Sequence, residues 1–173
     1  MRLIESKTLA TAAASIEFTS IPQTFTDLVV LYSLRDTGTN STERVFNTNL
    51  SLNGLTTGFT CRIFFGANSV GSFTDTRFAG WHPDAASTSN TFGNTILYLS
   101  NYTGSTNKSY SIDQVAESNE TLTQRSLVAG LWSNTAAISS VTFTTIGTNL
   151  AIGSIISLYG VLKGSDGIVT TSP

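Results

Sequence analysis

The feature that most constrains the fold is a series of short apolar or alternating runs with no helical repeat between them. The runs recur about every dozen residues, a spacing typical of strands in sandwiches and barrels. Phe59, Cys61, Ile63 and Phe65 alternate along one run, as in a strand with one buried face. No stretch of helix length carries an apolar period of about 3.6 residues. The pattern predicts an all-β domain of about eight to ten short strands, arranged as a sandwich or a barrel.

Two of the runs carry further information. Leu28–Leu34 is apolar almost throughout. Because strand side chains point alternately to opposite faces, this run predicts a strand covered on both faces or lying at a contact between subunits. In a later run, Leu127, Ala129 and Leu131 share one face. Gly- and Asn-rich clusters separate the runs, and both residue types adopt positive φ at little steric cost.

The spacing of these runs also predicts the domain organisation. Residues 15–163 are predicted to form a single β-sandwich domain. Residues 1–14 are predicted to form an N-terminal arm or an edge strand, and residues 164–173 a C-terminal tail. One internal segment, Asn68–Asn94, is long and poor in strand pattern. Loops of that length in a compact domain are usually functional or disordered, so this segment is predicted to be irregular.

Charged residues are scarce, at 12% of the chain with a net charge of −2, where about 25% is usual. Nucleic acids and anionic lipid surfaces require clustered basic side chains, which this chain lacks. No apolar run approaches the roughly 20 residues of a membrane-spanning helix. The N-terminal residues lack the apolar central region of a signal peptide. The sequence therefore predicts a soluble protein with no nucleic-acid or membrane partner.

Few residues offer catalytic chemistry. His82 is the single histidine and Cys61 the single cysteine, and a lone cysteine in a strand pattern is typical of a buried, inert thiol. Asp75 and Asp84 lie close enough to His82 in sequence for a weak metal site. The other carboxylates are scattered without an acid–base partner, and no phosphate loop, metal-ligand spacing or nucleophile motif occurs. The sequence predicts a protein that is not an enzyme and that binds no metal or cofactor.

Four residues are the candidate contacts with a ligand or partner: Trp81, His82, Asp84 and Tyr102. An aromatic ring stacks on the apolar face of a sugar, while neighbouring polar side chains bond the sugar hydroxyls. Trp81 is the preferred stacking candidate because it falls in the segment predicted to be irregular. Tyr98 and Trp132 lie within strand patterns and are interpreted as core or subunit-interface residues.

Three stretches together resemble a recurrent pattern of tailed-bacteriophage virion proteins: Ile21–Leu28, Trp132–Ile138 and Ser157–Gly160. The resemblance spans about Leu3 to Leu162 and does not include the middle of the chain. It implies a small β-sandwich of jelly-roll type with flexible terminal arms. It also implies a structural protein made in the host cytoplasm and carried in the virion, and no catalytic motif comes with it.

The resemblance leaves two functions open. The first is a capsid decoration or cement protein, a homotrimer that binds the major capsid protein and stabilises the shell. The alternative is a tail or fibre-tip adhesin that is attached to tail proteins and binds a host surface glycan. The short length, without a shaft repeat, favours decoration, whereas the Trp81 segment favours adhesion.

Overall fold

The computed structural model describes residues 1–40, 45–67, 69–118 and 123–162, and for Phe46 it describes the main chain only. The described residues form twelve strands: β1 Arg2–Thr8, β2 Ser15–Phe18, β3 Asp27–Ser33, β4 Val45–Leu52, β5 Phe59–Gly66, β6 Val70–Asp75, β7 Phe78–Pro83, β8 Asn94–Leu99, β9 Lys108–Glu117, β10 Thr123–Trp132, β11 Val141–Thr145 and β12 Ile155–Val161. No α-helix occurs among them, and no described helix is long and apolar enough to cross a membrane.

The strands form two antiparallel sheets that pack as a sandwich. The larger sheet has the order β1-β12-β3-β8-β9-β10-β5-β6, and the smaller has the order β2-β11-β4-β7. Most connections carry the chain from one sheet to the other, as in a jelly roll. The exceptions are the β5–β6 hairpin and the β8-β9-β10 meander, which stay within the larger sheet. The predicted all-β sandwich is confirmed.

The core lies between the two sheets and follows the alternation of each strand. Along β5, Phe59, Cys61 and Ile63 are buried and the residues between them are exposed. Along β10 the buried residues include Val128 and Trp132, and the Trp132 ring stacks on Phe59 at a centroid distance of 5.8 Å. Burying one large apolar side chain contributes about 1.5–3 kcal/mol. These contacts hold the larger sheet rigid, so its outer face is a fixed surface.

The outward residues of β3 are partly covered by their own neighbours. Val29 points to the outer face but is only 6% exposed, because it lies between Tyr98 of β8 and Tyr159 of β12 in the sheet register. Leu31, two residues further along, is half-buried beside Ile96. The prediction of a strand covered on both faces is therefore satisfied within one chain.

Part of the segment Asn68–Asn94 is regular, so the prediction of an irregular segment is wrong for that part. It contains the strands β6 and β7, and all six residues of β7 are buried. In the pairing of β7 with β4, Ala79 and Gly80 stand where β4 has one residue, Thr48. Gly80 has φ +116°, a conformation that favours glycine. Such a bulge breaks the two-residue alternation, which hid the strand in the sequence.

The structure describes the N-terminal segment of the chain but not the C-terminal tail. Arg2–Thr8 forms the edge strand β1, which pairs with β12, and Ser6 Oγ lies 2.7 Å from Ser157 Oγ. Of the two N-terminal alternatives, the structure has the edge strand. The predicted C-terminal tail, residues 164–173, lies outside the described residues.

Candidate functional site

The side chains of all four predicted contact residues are buried. Their exposed fractions are 9% for Trp81, 2% for His82, and 0% for Asp84 and Tyr102. Since the contact residues of a binding surface must reach solvent, these side chains have structural roles in this fold.

Trp81 belongs to an aromatic cluster in the core. Its ring centroid lies 4.9 Å from that of Phe78, 5.9 Å from that of Phe65 and 6.0 Å from that of Phe73. The expectation that Trp81 stands in an irregular loop is wrong, because Trp81 lies in strand β7, whose six residues are all buried. A ring enclosed in this way cannot stack on a sugar.

His82 connects a hydroxyl group and a carboxylate in the interior. Its Nδ1 lies 3.0 Å from Thr48 Oγ1, and its Nε2 lies 3.5 Å from Asp36 Oδ2. This order of hydroxyl, imidazole and carboxylate is the one that activates a nucleophile. However, Thr48 and Asp36 are fully buried, and Asp36 also accepts hydrogen bonds from Gly38 N and Thr148 Oγ1 at 2.6 and 2.8 Å. No substrate reaches the Thr48 hydroxyl, because it lies with His82 in the interior of the sandwich.

Asp84 fixes the loop that follows β7. Its Oδ1 accepts hydrogen bonds from Ala86 N and Ser87 N, both at 2.9 Å, and from Ser87 Oγ at 3.1 Å. Its Oδ2 accepts a further bond from Asn40 N. Donors therefore reach both oxygens of this carboxylate, which is 0% exposed. The described residues contain no cluster of three or more His, Cys, Asp or Glu side chains that could hold a metal ion.

Arg35 holds the other side of the same loop. The guanidinium donates to the carbonyl oxygens of Ser87, Thr88 and Thr91 at 2.8–2.9 Å. Buried polar groups of a loop must find hydrogen-bond partners within the protein. Here one arginine is the donor to three carbonyl oxygens of the loop. The loop is therefore a rigid structural element.

Tyr102 joins the β2–β3 connection, at Pro22, to the end of the β10–β11 connection. Its hydroxyl donates to Pro22 O, and its own carbonyl accepts from Ile138 N at 2.9 Å. Gln23 Nε2 reinforces the same junction by donating to Ile138 O at 2.9 Å. Burial raises the pKa of Tyr102. These bonds join two of the stretches on which the virion-protein resemblance depends.

The accessible chemistry of the described residues lies instead on the outer face of the larger sheet. In one register row Phe64, Leu127, Asp113 and Ile96 are neighbours on β5, β10, β9 and β8. The exposed fractions of Phe64, Leu127 and Ile96 are 57%, 52% and 46%. Together with two further exposed valines on this face, they form what we call the apolar ridge: Phe64, Val70, Ile96, Val115 and Leu127.

The next register row forms a groove. It contains Arg62, Ala129, Ser111 and Tyr98, again on β5, β10, β9 and β8. The two long side chains stand at the ends of this row, and the two small ones lie between them. The result is a groove of about 670 Å³, lined also by Ser100, Ser109 and Leu131. We call this groove the trough.

Hydrogen bonds fix both walls of the trough. The Tyr98 hydroxyl donates to Asp27 Oδ2 at 2.7 Å, and Asp27 Oδ1 accepts from Asn101 N at 2.7 Å. The bond to the Asp27 carboxylate, with burial, raises the pKa of Tyr98. On the opposite wall Arg62 donates to the side-chain oxygens of Ser72 and Thr74 at 2.8 and 3.2 Å. The walls are therefore in place before any ligand arrives.

The structure changes the interpretation of two aromatic residues. Trp81 was expected to be a surface ring and is in the core. Of the two alternatives for Tyr98, core or subunit interface, the structure excludes the core, because Tyr98 is 39% exposed. In β8, Leu97 and Leu99 face inward and Ile96 and Tyr98 face outward. Both faces of β8 carry apolar residues, so the alternation of the sequence alone does not show which face of the strand is exposed.

Comparison with protein-family models, with curated proteins and with solved structures finds no match to this chain.

Proposed function

We propose that this protein is a non-enzymatic structural component of a tailed-bacteriophage virion, most simply a capsid decoration or cement protein. The apolar ridge is the observation that carries the proposal. Its five side chains are exposed on five neighbouring strands, with Asp113 between Leu127 and Ile96. Exposed apolar side chains grouped on one face mark protein–protein contacts. The resemblance of the sequence to virion proteins supports the same assignment.

The ridge is proposed to be the contact between copies of a homotrimer. Phe64, Val70 and Leu127 line a hollow of about 200 Å³ at one end of the ridge, which could receive an apolar side chain of a neighbouring copy. Cyclic assemblies repeat one such contact around a closed ring. In this proposal the trimer then attaches to the major capsid protein through the chain ends, where the edge strand β1 offers main-chain groups for pairing.

The scarcity of charge supports assembly by apolar contact. The chain is 12% charged, and exposed ion pairs contribute at most about 1 kcal/mol each. We expect the trimer and its attachment to the particle to withstand an increase in salt from about 0.05 to 0.5 M, which shortens the screening length from roughly 14 to 4 Å. Release of the protein from particles at the higher salt concentration would contradict this account.

The trimer is tested with two isoleucine variants. Ile96 is in the ridge and is 46% exposed, whereas Ile146 lies outside the ridge and is 64% exposed. We expect Ile96→Asp to shift the mass measured by multi-angle light scattering at micromolar concentration from three subunits to one. Ile146→Asp introduces the same charge and should leave a trimer. A monomeric unmodified protein, with no trimer on the particle either, would overturn the assembly proposal.

The second candidate is a tail or fibre-tip adhesin, and the trough is the observation that favours it. Copy number on the particle separates the two: hundreds of copies indicate a head protein and a handful indicates a tail tip. Quantitative mass spectrometry of purified particles gives this number. Under either candidate we expect no polysaccharide hydrolysis, and turnover that is abolished by His82→Ala would refute the non-enzymatic assignment.

A further inference from the structure

We propose that the trough is a binding site for a short neutral oligosaccharide. The site is separate from the apolar ridge, and it does not depend on whether the protein belongs to the head or the tail. Its position is set by the register row that runs from Arg62 through Ala129 and Ser111 to Tyr98.

The dimensions of the trough suit such a chain. Arg62 and Tyr98 are on strands three spacings apart, or roughly 14 Å at about 4.8 Å per spacing. Ala129 and Ser111 lie between them, and their short side chains form the floor of the trough. The volume of about 670 Å³ is within the roughly 300–1,000 Å³ of small-molecule sites.

Tyr98 supplies a stacking surface. Its ring is 39% exposed, and its hydroxyl is fixed by Asp27. An aromatic face packs well against the C–H face of a pyranose ring, since both are flat and apolar. Because the ring is already held, little side-chain entropy is lost when a ligand binds.

Hydroxyl groups supply the polar contacts. The lining includes Ser100, Ser109 and Ser111, and each hydroxyl offers one donor and two acceptor lone pairs. Ser100 Oγ and Ser109 Oγ lie 3.0 Å apart, so each keeps capacity for a ligand. Arg62 has five N–H donors, of which two are used by Ser72 and Thr74. This mixed donor and acceptor set matches sugar hydroxyls.

The charges favour a neutral ligand. Arg62 is the only charged residue in the lining of the trough. Across the trough, the Asp27 carboxylate lies behind the Tyr98 ring, so the two walls carry one charge of each sign. A nucleic acid would require several cations along its path, and an apolar peptide segment would leave the serine hydroxyls unpaired.

The test is an array of cello-, malto-, chito-, galacto- and manno-oligosaccharides, probed with the labelled full-length protein. The affinity for the best probe is then measured by calorimetry. We expect binding to at least one neutral probe and a loss of at least about tenfold in affinity for Tyr98→Ala. Tyr98→Phe keeps the ring and should retain most of the affinity. Ala129→Arg fills the floor of the trough and should also lose at least about tenfold.

The matched control is Tyr159→Ala. Tyr159 belongs to the same register row on the same face, on the far side of Val29 and outside the trough. Its substitution should leave the affinity within about twofold of the unmodified protein. Ile96→Asp should abolish the trimer but not sugar binding to a single subunit, which separates failure of the assembly proposal from failure of this one.

Three outcomes would overturn the proposal. The first is that no array member binds. The second is that only acidic saccharides added to the array bind. The third is that Tyr98→Ala and Ala129→Arg, both confirmed as folded by circular dichroism, bind the neutral probe as the unmodified protein does.

Discussion

Replacing Asp84 by asparagine tests whether this residue has a structural role or contacts a ligand. The carboxylate accepts hydrogen bonds on both oxygens, from Ala86 N and Ser87 on one side and from Asn40 N on the other. Asparagine has only one acceptor oxygen, so on one side its NH₂ group would face a backbone N–H. A buried donor left without a partner costs about 1–3 kcal/mol, and bonds to a charged acceptor are roughly twice as strong as neutral ones.

We therefore expect Asp84→Asn to lower the free energy of unfolding by about 3 kcal/mol. For a domain of this size 1 kcal/mol corresponds to about 2–4 °C in Tm, so the expected decrease is about 6–12 °C. Differential scanning calorimetry at fixed protein concentration measures it. Asp113→Asn is the matched control: Asp113 is exposed on the outer face, and its substitution should change stability by less than about 0.5 kcal/mol.

A result in which Asp84→Asn and Asp113→Asn melt within about 2 °C of the unmodified protein would refute the reasoning. It would mean that the Asp84 carboxylate does not hold the loop after β7.

Two further predictions concern buried tyrosines. Burial raises the pKa of Tyr32 and Tyr110 far above the usual range, so both stay protonated in the fold while the unfolded chain ionises near pH 10. Their contribution to stability is therefore complete below about pH 10 and is lost above it, at about 1.4 kcal/mol per pH unit each. Denaturant titrations at a series of alkaline pH values should show that Tyr32→Phe reduces the pH slope of the free energy of unfolding by about 1.4 kcal/mol per pH unit, and an unchanged slope would contradict it. Separately, a Cβ at Gly130 would lie 2.1 Å from Tyr110 Cζ, so Gly130→Ala should cost about 1–3 kcal/mol by overpacking. Gly66→Ala meets nothing closer than 4.0 Å and is the control; equal chemical-denaturation midpoints for the two variants would refute the crowding argument.

The sequence by itself determined the all-β class and the inward face of β5. Phe59, Cys61 and Ile63 alternate with polar residues, so one face of that strand is apolar whatever its neighbours are. The lack of a helical period and the abundance of turn-forming residues are also properties of short stretches of the chain. These features depend on residues close in the chain, which is why they could be predicted.

The strand count was underestimated, because three strands lack a clear local signal. β1 is an edge strand with few buried residues, and β6 is exposed or half-exposed along its length. β7 is buried on both faces and carries the bulge at Gly80. β1 and β7 pair with the distant strands β12 and β4, so their hydrogen bonds are not determined by their own sequence. β6 pairs with its hairpin neighbour β5, but its exposed and half-exposed side chains form no fully buried face that would mark it as a strand.

Only the tertiary structure decided which face of β10 meets solvent. Leu127, Ala129 and Leu131 share one face, and Val128 and Trp132 share the other. The two sets are similarly apolar, yet the first is exposed and the second is buried. The choice follows from Trp132 packing on Phe59, a contact between strands far apart in the chain.

The candidate site could not be predicted for the same reason. Tyr98, Ser111, Ala129 and Arg62 come from four strands and become neighbours only through the sheet register. Trp81, His82 and Asp84 are close in sequence, but the packing of β7 against the core buries all three. A period of two residues places side chains on opposite faces of a strand. Which face becomes a surface, and which residues meet on it, is decided by pairing across the whole domain.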